Sequence, residues 1–478
     1  MLFNSLQFLP FFVIVFFLYW FVFNKSLRKQ NLLLLASSYF FYGCWDWRFL
    51  FLLVFSTFLD YFSGLMIFRA ETQGKRKTWL LISVLTNLGF LGFFKYYNFF
   101  AHSMADFLYL FGLKTNPFSL SIILPVGISF YTFHGLSYVF DVYNRKIEPT
   151  RNWVDYSVFV SFFPLLVAGP IERATHLLPQ IEQPRHFDGR KAVDGLRQIL
   201  WGFFKKIVIA DTCAGFVNEL WTNYTHYSGS TLLLGAIMFA FQIYGDFSGY
   251  SDIALGVARL LGIELLRNFS YPYFSRNIAE FWRRWHISLS SWFRDYLYIP
   301  LGGSKGGKWK TIRNVLLIFI ASGFWHGANW TFIAWGFLNA LFILPSVLFN
   351  TNRQYLDIAA KGRLLPSVGE LLHIVLTFTL ATFAWIFFRS ASLTEAYHFI
   401  GIIFSRSLFT IPQPLFKTEF LLLTALVVIE WLGREEPYAI ARLGQNWRAP
   451  GRWGFYYLLL FLMYFYSGKP QQFIYFQF

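Results

Sequence analysis

The stretch FLPFFVIVFFLYWFVF, residues 8–23, contains no charged side chain. Its length approaches the roughly 20 apolar residues that carry an α-helix across the hydrocarbon core of a bilayer. Similar runs recur at 31–45, 49–68, 79–94, 118–140, 231–245, 314–349, 370–388, 420–433 and 453–466, with charges gathered between them. In a chain of 478 residues that is 56% hydrophobic, this distribution predicts an integral membrane protein. Backbone polar groups in lipid have to be satisfied within the chain, so such runs are read as helices. The expected fold is all-α and polytopic, with roughly ten to twelve transmembrane helices plus re-entrant and in-plane helices. Residues 8–23 lack a preceding basic region and are read as a first span rather than a cleaved leader.

The formal net charge of +16 would suggest a nucleic-acid partner in a soluble chain. Here the basic residues sit in short connections, the signature of cytoplasmic loops, and no nucleic acid is expected. Lys25, Arg28 and Lys29 follow the first run, RAETQGKRK (69–77) the third, and Arg145, Lys146 and Arg151 the fifth. GRKAVDGLRQILWGFFKK (189–206) is likewise read as cytoplasmic. Counting crossings places both termini outside, with the short WDWR turn (45–48) outside and the loop holding Arg434, Arg442, Arg448 and Arg452 inside. Within 153–181, SVFVSFFPLLVAGPIERATHLLPQI is broken by Pro164, Gly169, Pro170 and Pro179, which predicts a re-entrant or broken element buried in protein. The run 314–349 is long enough for a hairpin. Two cysteines, Cys44 and Cys213, support neither a disulfide framework nor a metal site, and no metal is expected.

AEFWRRWHISLSSWFRDYLYIPLGG (279–303) is the richest segment. Phe281, Trp285, Leu289, Trp292 and Tyr296 recur at helical spacing, with His286 on that side and Arg283, Arg284, Arg294 and Asp295 opposite. That predicts an amphipathic helix at the interface or leaning into a cavity, where His286 is either a working group or a satisfied core residue. GGSKGGKWK (302–310) imitates a phosphate loop, but Trp309 stands where a magnesium-binding hydroxyl belongs and no strand precedes it. It is read as a basic cytosolic loop, either merely solvated or positioned to meet an anionic donor. GDFSG (245–249) lacks the spacing of a nucleophile elbow. SGFWHGANW (322–330) puts His326 inside an apolar run, where an ionisable side chain is costly and marks a functional candidate. The alternative is a structural histidine bonded to a backbone carbonyl or to Asn329.

FWRRWHISLSSWFRDYLYIPLGG followed by GFWHGANWTFIAWG resembles the membrane-bound O-acyltransferase family, in its bacterial alginate O-acetylation and teichoic-acid D-alanyl transfer branch. PVGISFYTFHGLSYVFDVY (125–143) and AGPIERATHLLPQI (168–181) resemble the same branch. The resemblance implies a transmembrane acyltransferase domain over 1–466 around a tunnel, with His326 catalytic and His286 a second motif histidine. Trp325, Asn329, Trp285, Arg283, Arg284 and Asp295 are implied as supporting residues. Histidine, with an unperturbed pKa of about 6.5, suits a base that deprotonates an attacking hydroxyl, and burial favours its neutral form.

The segment 467–478 ends in FIYFQF, which matches a Phe-x-Tyr-x-x-Phe terminal pattern of bacterial acylation machines of this kind. The resemblance implies that Tyr475 accepts the acyl group on an extracytoplasmic tail; packing of aromatic rings at the interface is the plainer alternative. From Tyr466 to Tyr475 is nine residues, roughly 30 Å if extended.

The expected reaction is O-acylation of an extracytoplasmic polysaccharide from a cytosolic thioester, acetyl-CoA by resemblance, with no permanently bound cofactor. D-alanyl transfer to teichoic acid is the second reading. A transporter or flippase using Asp141 and Glu172, or a structural scaffold, are readings from other classes. The implied setting is the bacterial cytoplasmic (inner) membrane, with lipid around the chain and a separate SGNH-type extracytoplasmic acyltransferase completing transfer to the glycan.

Overall fold

The computed structural model describes residues 1, 3–413, 417–468, 471, 473 and 474. Among them there are helices and irregular segments but no strand. Among the described residues, five helices are long and apolar enough to cross a membrane: Arg48–Arg69, Gln73–Tyr109, Gly229–Leu260, Trp330–Leu348 and Val368–Arg389. Phe8–Val22 is a shorter apolar helix. Other expected spans form helices too, among them Leu27–Asp46, Lys417–Leu432 and Ala449–Phe465. The multi-pass character stands on these helices.

The chain folds as two compact units. The first contains Met1–Asp188 with Ala258–Leu265. Two of its helices start where hydroxyl side chains cap them: Ser26 accepts from the Lys29 N–H and Thr72 from the Lys75 N–H. Polar groups tie the spans together. Asp60 Oδ1 accepts from Ser83 Oγ at 2.6 Å and Asn87 Nδ2 at 2.8 Å. Gly135 admits this carboxylate, since a Cβ there would lie 1.9 Å from Asp60 Oδ2. The proline-punctuated segment is broken as expected into Trp153–Ser161, Phe163–Leu166 and Ala174–Glu182, and its interior stretch is buried. The run 118–140 is helical only from Ile128, after Gly127 at φ +74. A Cβ on Gly127 would lie 2.1 Å from the Leu166 carbonyl, so the turn needs glycine twice over.

The second unit contains Gly189–Val257 with Leu266–Phe478. The expected hairpin is present as Lys308–His326 and Trp330–Leu348. Its two helices touch through glycine: a Cβ on Gly323 would lie 2.2 Å from the Phe332 carbonyl oxygen, and one on Gly336 2.3 Å from that of Phe319. Small residues let helix backbones approach this closely.

One expectation is corrected here. Residues 279–297 do not form one amphipathic helix. They divide into Ile278–Arg284, Ile287–Phe293 and a π-helical Arg294–Tyr298, with His286 at φ +43 in the break. The preceding irregular segment clamps that break, because Ser270 N–H donates to the Arg284 carbonyl and Ile287 N–H to that of Asn268, both at 2.9 Å. The end of the 189–206 stretch is interior to the second unit. Lys205 and Lys206 are buried on a π-helical turn, Phe204–Ala210, where Lys205 pairs with Asp252 at 2.6 Å and Lys206 with Asp246 at 2.7 Å. Buried cations need such partners.

Candidate active site

His326 is the last residue of the Lys308–His326 helix, and the turn that follows explains its position. Gly327 lies so close to Phe332 that a Cβ there would be 2.0 Å from the ring. Asn329 caps the next helix, accepting from Thr331 N–H at 3.0 Å, and its amide donates to the Ala391 carbonyl at 2.8 Å. Asn329 therefore holds the hairpin rather than the imidazole. Aromatic rings enclose His326: Trp325, Trp335 and Phe388 have centroids 5.0, 5.1 and 5.4 Å away, each near edge-on.

The same pocket of rings brings in His286, whose centroid is 6.4 Å from that of His326. Both are buried, at 4% exposure for His326 and 1% for His286. His286 Nδ1 is 3.1 Å from Asn268 Oδ1. That same oxygen accepts from the Ser288 backbone N–H at 3.3 Å and Ser288 Oγ at 2.9 Å. A backbone N–H can only donate, so the shared atom is the carboxamide oxygen and His286 Nδ1 carries the proton. Nε2 is then the acceptor nitrogen of the neutral ring, and it is buried without a hydrogen-bond partner among the described residues. His286 lies outside the candidate spans, and burial alone pushes its pKa down, toward that neutral form. Phe247 meets its face edge-on at 4.6 Å.

The other expected residues fall around this pair. Trp285 is buried and packs on Phe281 and Trp385. Arg283 donates to the carbonyls of Asn352 (2.5 Å) and Tyr355 (2.6 Å). Arg284 pairs with Glu280 at 2.8 Å and donates to the Asp357 carbonyl at 2.7 Å, so both arginines anchor the 352–357 loop. Asp295 pairs with its neighbour Arg294 at 2.7 Å. Tyr475 lies outside the described residues. Just before it, Phe473 and Ile474 are 2% and 1% exposed. Phe473 packs against Phe247 at 6.1 Å, the ring that covers His286. No group of three or more metal-ligating side chains occurs among the described residues.

A cavity of about 320 Å³ lies one ring away from this centre: Trp282 on its wall packs on Trp335, which meets His326. Trp282, Phe319 and Ser322 line its interior, with Arg283, Arg294 and Arg353 also on its walls. Ser322 is one helical turn before His326. Two of these arginines are already engaged, Arg283 on the Asn352 and Tyr355 carbonyls and Arg294 on Asp295. Asn268 is the site residue that sequence reading missed. It stands alone in an irregular segment and carries no motif, so only its contact with His286 reveals it.

Residues 149–364 match the model of the MBOAT, membrane-bound O-acyltransferase family. The chain is 40% identical over 380 residues to the probable alginate O-acetylase AlgI of Pseudomonas aeruginosa, covering 79% of this chain and 70% of that protein. It is 35% identical over 425 residues to the peptidoglycan O-acetyltransferase of Helicobacter pylori, covering 83% and 78%. Similarity to the teichoic acid D-alanyltransferase of Bacillus subtilis is lower, 28% over 282 residues, covering 56% and 69%.

Proposed function

The chain belongs to the membrane-bound O-acyltransferase family and is a membrane O-acyltransferase, and from that premise we propose that it carries an acetyl group from a cytosolic thioester to Tyr475 of its own tail, for onward transfer to an extracytoplasmic polysaccharide. His326 is the general base in this reading. It takes the phenol proton as the Tyr475 oxygen attacks the thioester carbonyl; the C–O bond forms, the C–S bond breaks, and the proton passes to the departing thiolate. His286, held with Nε2 as an acceptor, orients or relays that proton. The surrounding rings keep water from the thioester. Acetyl-CoA is the preferred donor by resemblance to the alginate O-acetylation branch.

The observation that supports the relay is the burial of Phe473 and Ile474, with Phe473 packed on Phe247, the ring that meets His286; Ile474 is one residue short of Tyr475. A phenyl ester keeps a good leaving group, so a second transfer to a sugar hydroxyl runs downhill. That second step is assigned to a separate SGNH-type acyltransferase outside the cytoplasmic (inner) membrane, with both termini of this chain on that face.

Intact-protein mass spectrometry after incubation with acetyl-CoA tests the relay. The native chain is expected to gain one acetyl group, and His326→Ala and Tyr475→Phe to gain none. Acylation persisting in both variants overturns it. Loading from a D-alanyl carrier protein but not from acetyl-CoA would shift the donor assignment to the second reading, which the similarity to the D-alanyltransferase keeps in view.

A further inference from the structure

Two stretches, GDFSG (245–249) and the end of GFFKK (202–206), meet in the second unit, and they meet on the tail. Asp246 Oδ2 accepts the backbone N–H of Ile474 at 2.7 Å. Its other oxygen lies 2.7 Å from Lys206 Nζ. Lys206 also pairs with Asp211 at 2.8 Å and donates to the Gln471 carbonyl at 3.4 Å. Asp246, Lys206 and Ile474 are 2%, 5% and 1% exposed, so this is an interior ion pair whose carboxylate also binds a main-chain amide of a distant segment. Beside it Phe473 packs on Phe247 (6.1 Å) and Tyr250 (5.0 Å).

We infer that Asp246, Lys206, Phe247 and Tyr250 form a docking site for the chain's own C-terminal segment, reading one aromatic ring and the amide that follows it and so setting the register of Tyr475. This rests on the acyl-tyrosine reading above. Successive Cα atoms are about 3.8 Å apart, so a one-residue slip would carry the phenol beyond the roughly 3 Å reach of a general base. Lys206 keeps the carboxylate from being an unpaired interior charge and adds a contact at Gln471.

The test uses the full-length chain in lipid nanodiscs. Ile474→Pro deletes the donated N–H and leaves Asp246, Lys206 and both histidines untouched, while Ile474→Val keeps the N–H. With acetyl-CoA, Ile474→Pro and Phe473→Ala are expected to slow tail acylation about tenfold or more, the scale of one charge-assisted hydrogen bond, and Ile474→Val to stay within about twofold. Without donor, hydrogen–deuterium exchange at the Ile474 amide is expected to be slow in the native chain and at least about tenfold faster in Phe473→Ala. Native-rate acylation in Ile474→Pro overturns the docking site and leaves the relay standing. If the native tail is never acylated, yet Phe473→Ala still accelerates exchange, the docking site stands and the relay falls. Exchange unchanged by Phe473→Ala overturns the docking site whatever the chemistry.

Discussion

Asn268 offers the sharpest single-residue handle, because it touches His286 and has no other claim on the chemistry. Its oxygen holds the proton on Nδ1, which leaves Nε2 as an acceptor. Asn268→Leu removes that acceptor and is expected to lower acyl transfer about tenfold to a hundredfold at every pH. Asn268→Asp keeps the acceptor and adds negative charge, which favours the imidazolium. A base must be neutral to work, so the acidic limb of the pH–rate profile is expected to move to higher pH in the Asp variant. A limb that stays in place would remove His286 from the proton path. At this scale the sequence made both histidines legible, since each stands out among apolar neighbours. It concealed Asn268, an unremarkable polar residue whose role depends on a contact across 18 positions.

Two elements position the histidines, and they were legible to different degrees. The hairpin carrying His326 follows from the length of its apolar run, and its glycines are needed for close approach. Gly323→Ala would place a methyl group 2.2 Å from the Phe332 carbonyl and force the helices apart. We expect a loss of about 1–3 kcal/mol in stability, read as a lower Tm in detergent, together with slower transfer as His326 shifts. Gly369→Ala, with open space at the same position, is expected to leave both unchanged. The element carrying His286 was misread. Its aromatic residues repeat at helical spacing on both sides of the break, so periodicity cannot locate the break. The positive φ of His286 is held by backbone groups at 268–270, which local sequence does not announce.

For the whole chain, the charge pattern makes a prediction about sidedness. The charge pattern puts the 45–48 turn outside, next to Cys44, which is exposed, whereas Cys213 is buried. A membrane-impermeant maleimide on intact cells is therefore expected to label Cys44 and not Cys213. Labelling of Cys44 only after permeabilisation would invert the topology, and with it the side from which Tyr475 approaches. Two of the basic residues in 189–206, Lys205 and Lys206, are buried and paired, which a count of charges along the chain does not register. Their partners, Asp252 and Asp246, lie forty or more residues ahead on another helix. The transporter candidates are paired as well, Asp141 with Lys146 at 3.1 Å and Glu172 with His176 at 2.8 Å.

The sequence by itself determined that this is a helical membrane protein of the acyltransferase family with a histidine in an apolar run, because hydropathy is summed along the chain and motif residues are local. Tertiary structure alone decided that the two histidines share one ring-lined centre, that Asn268 sets the tautomer of one of them, and that an ion pair built from two unremarkable stretches holds the tail. Hydrogen bonds and ring contacts act over a few ångströms in space, and nothing in the order of residues states which distant groups folding will bring within that range.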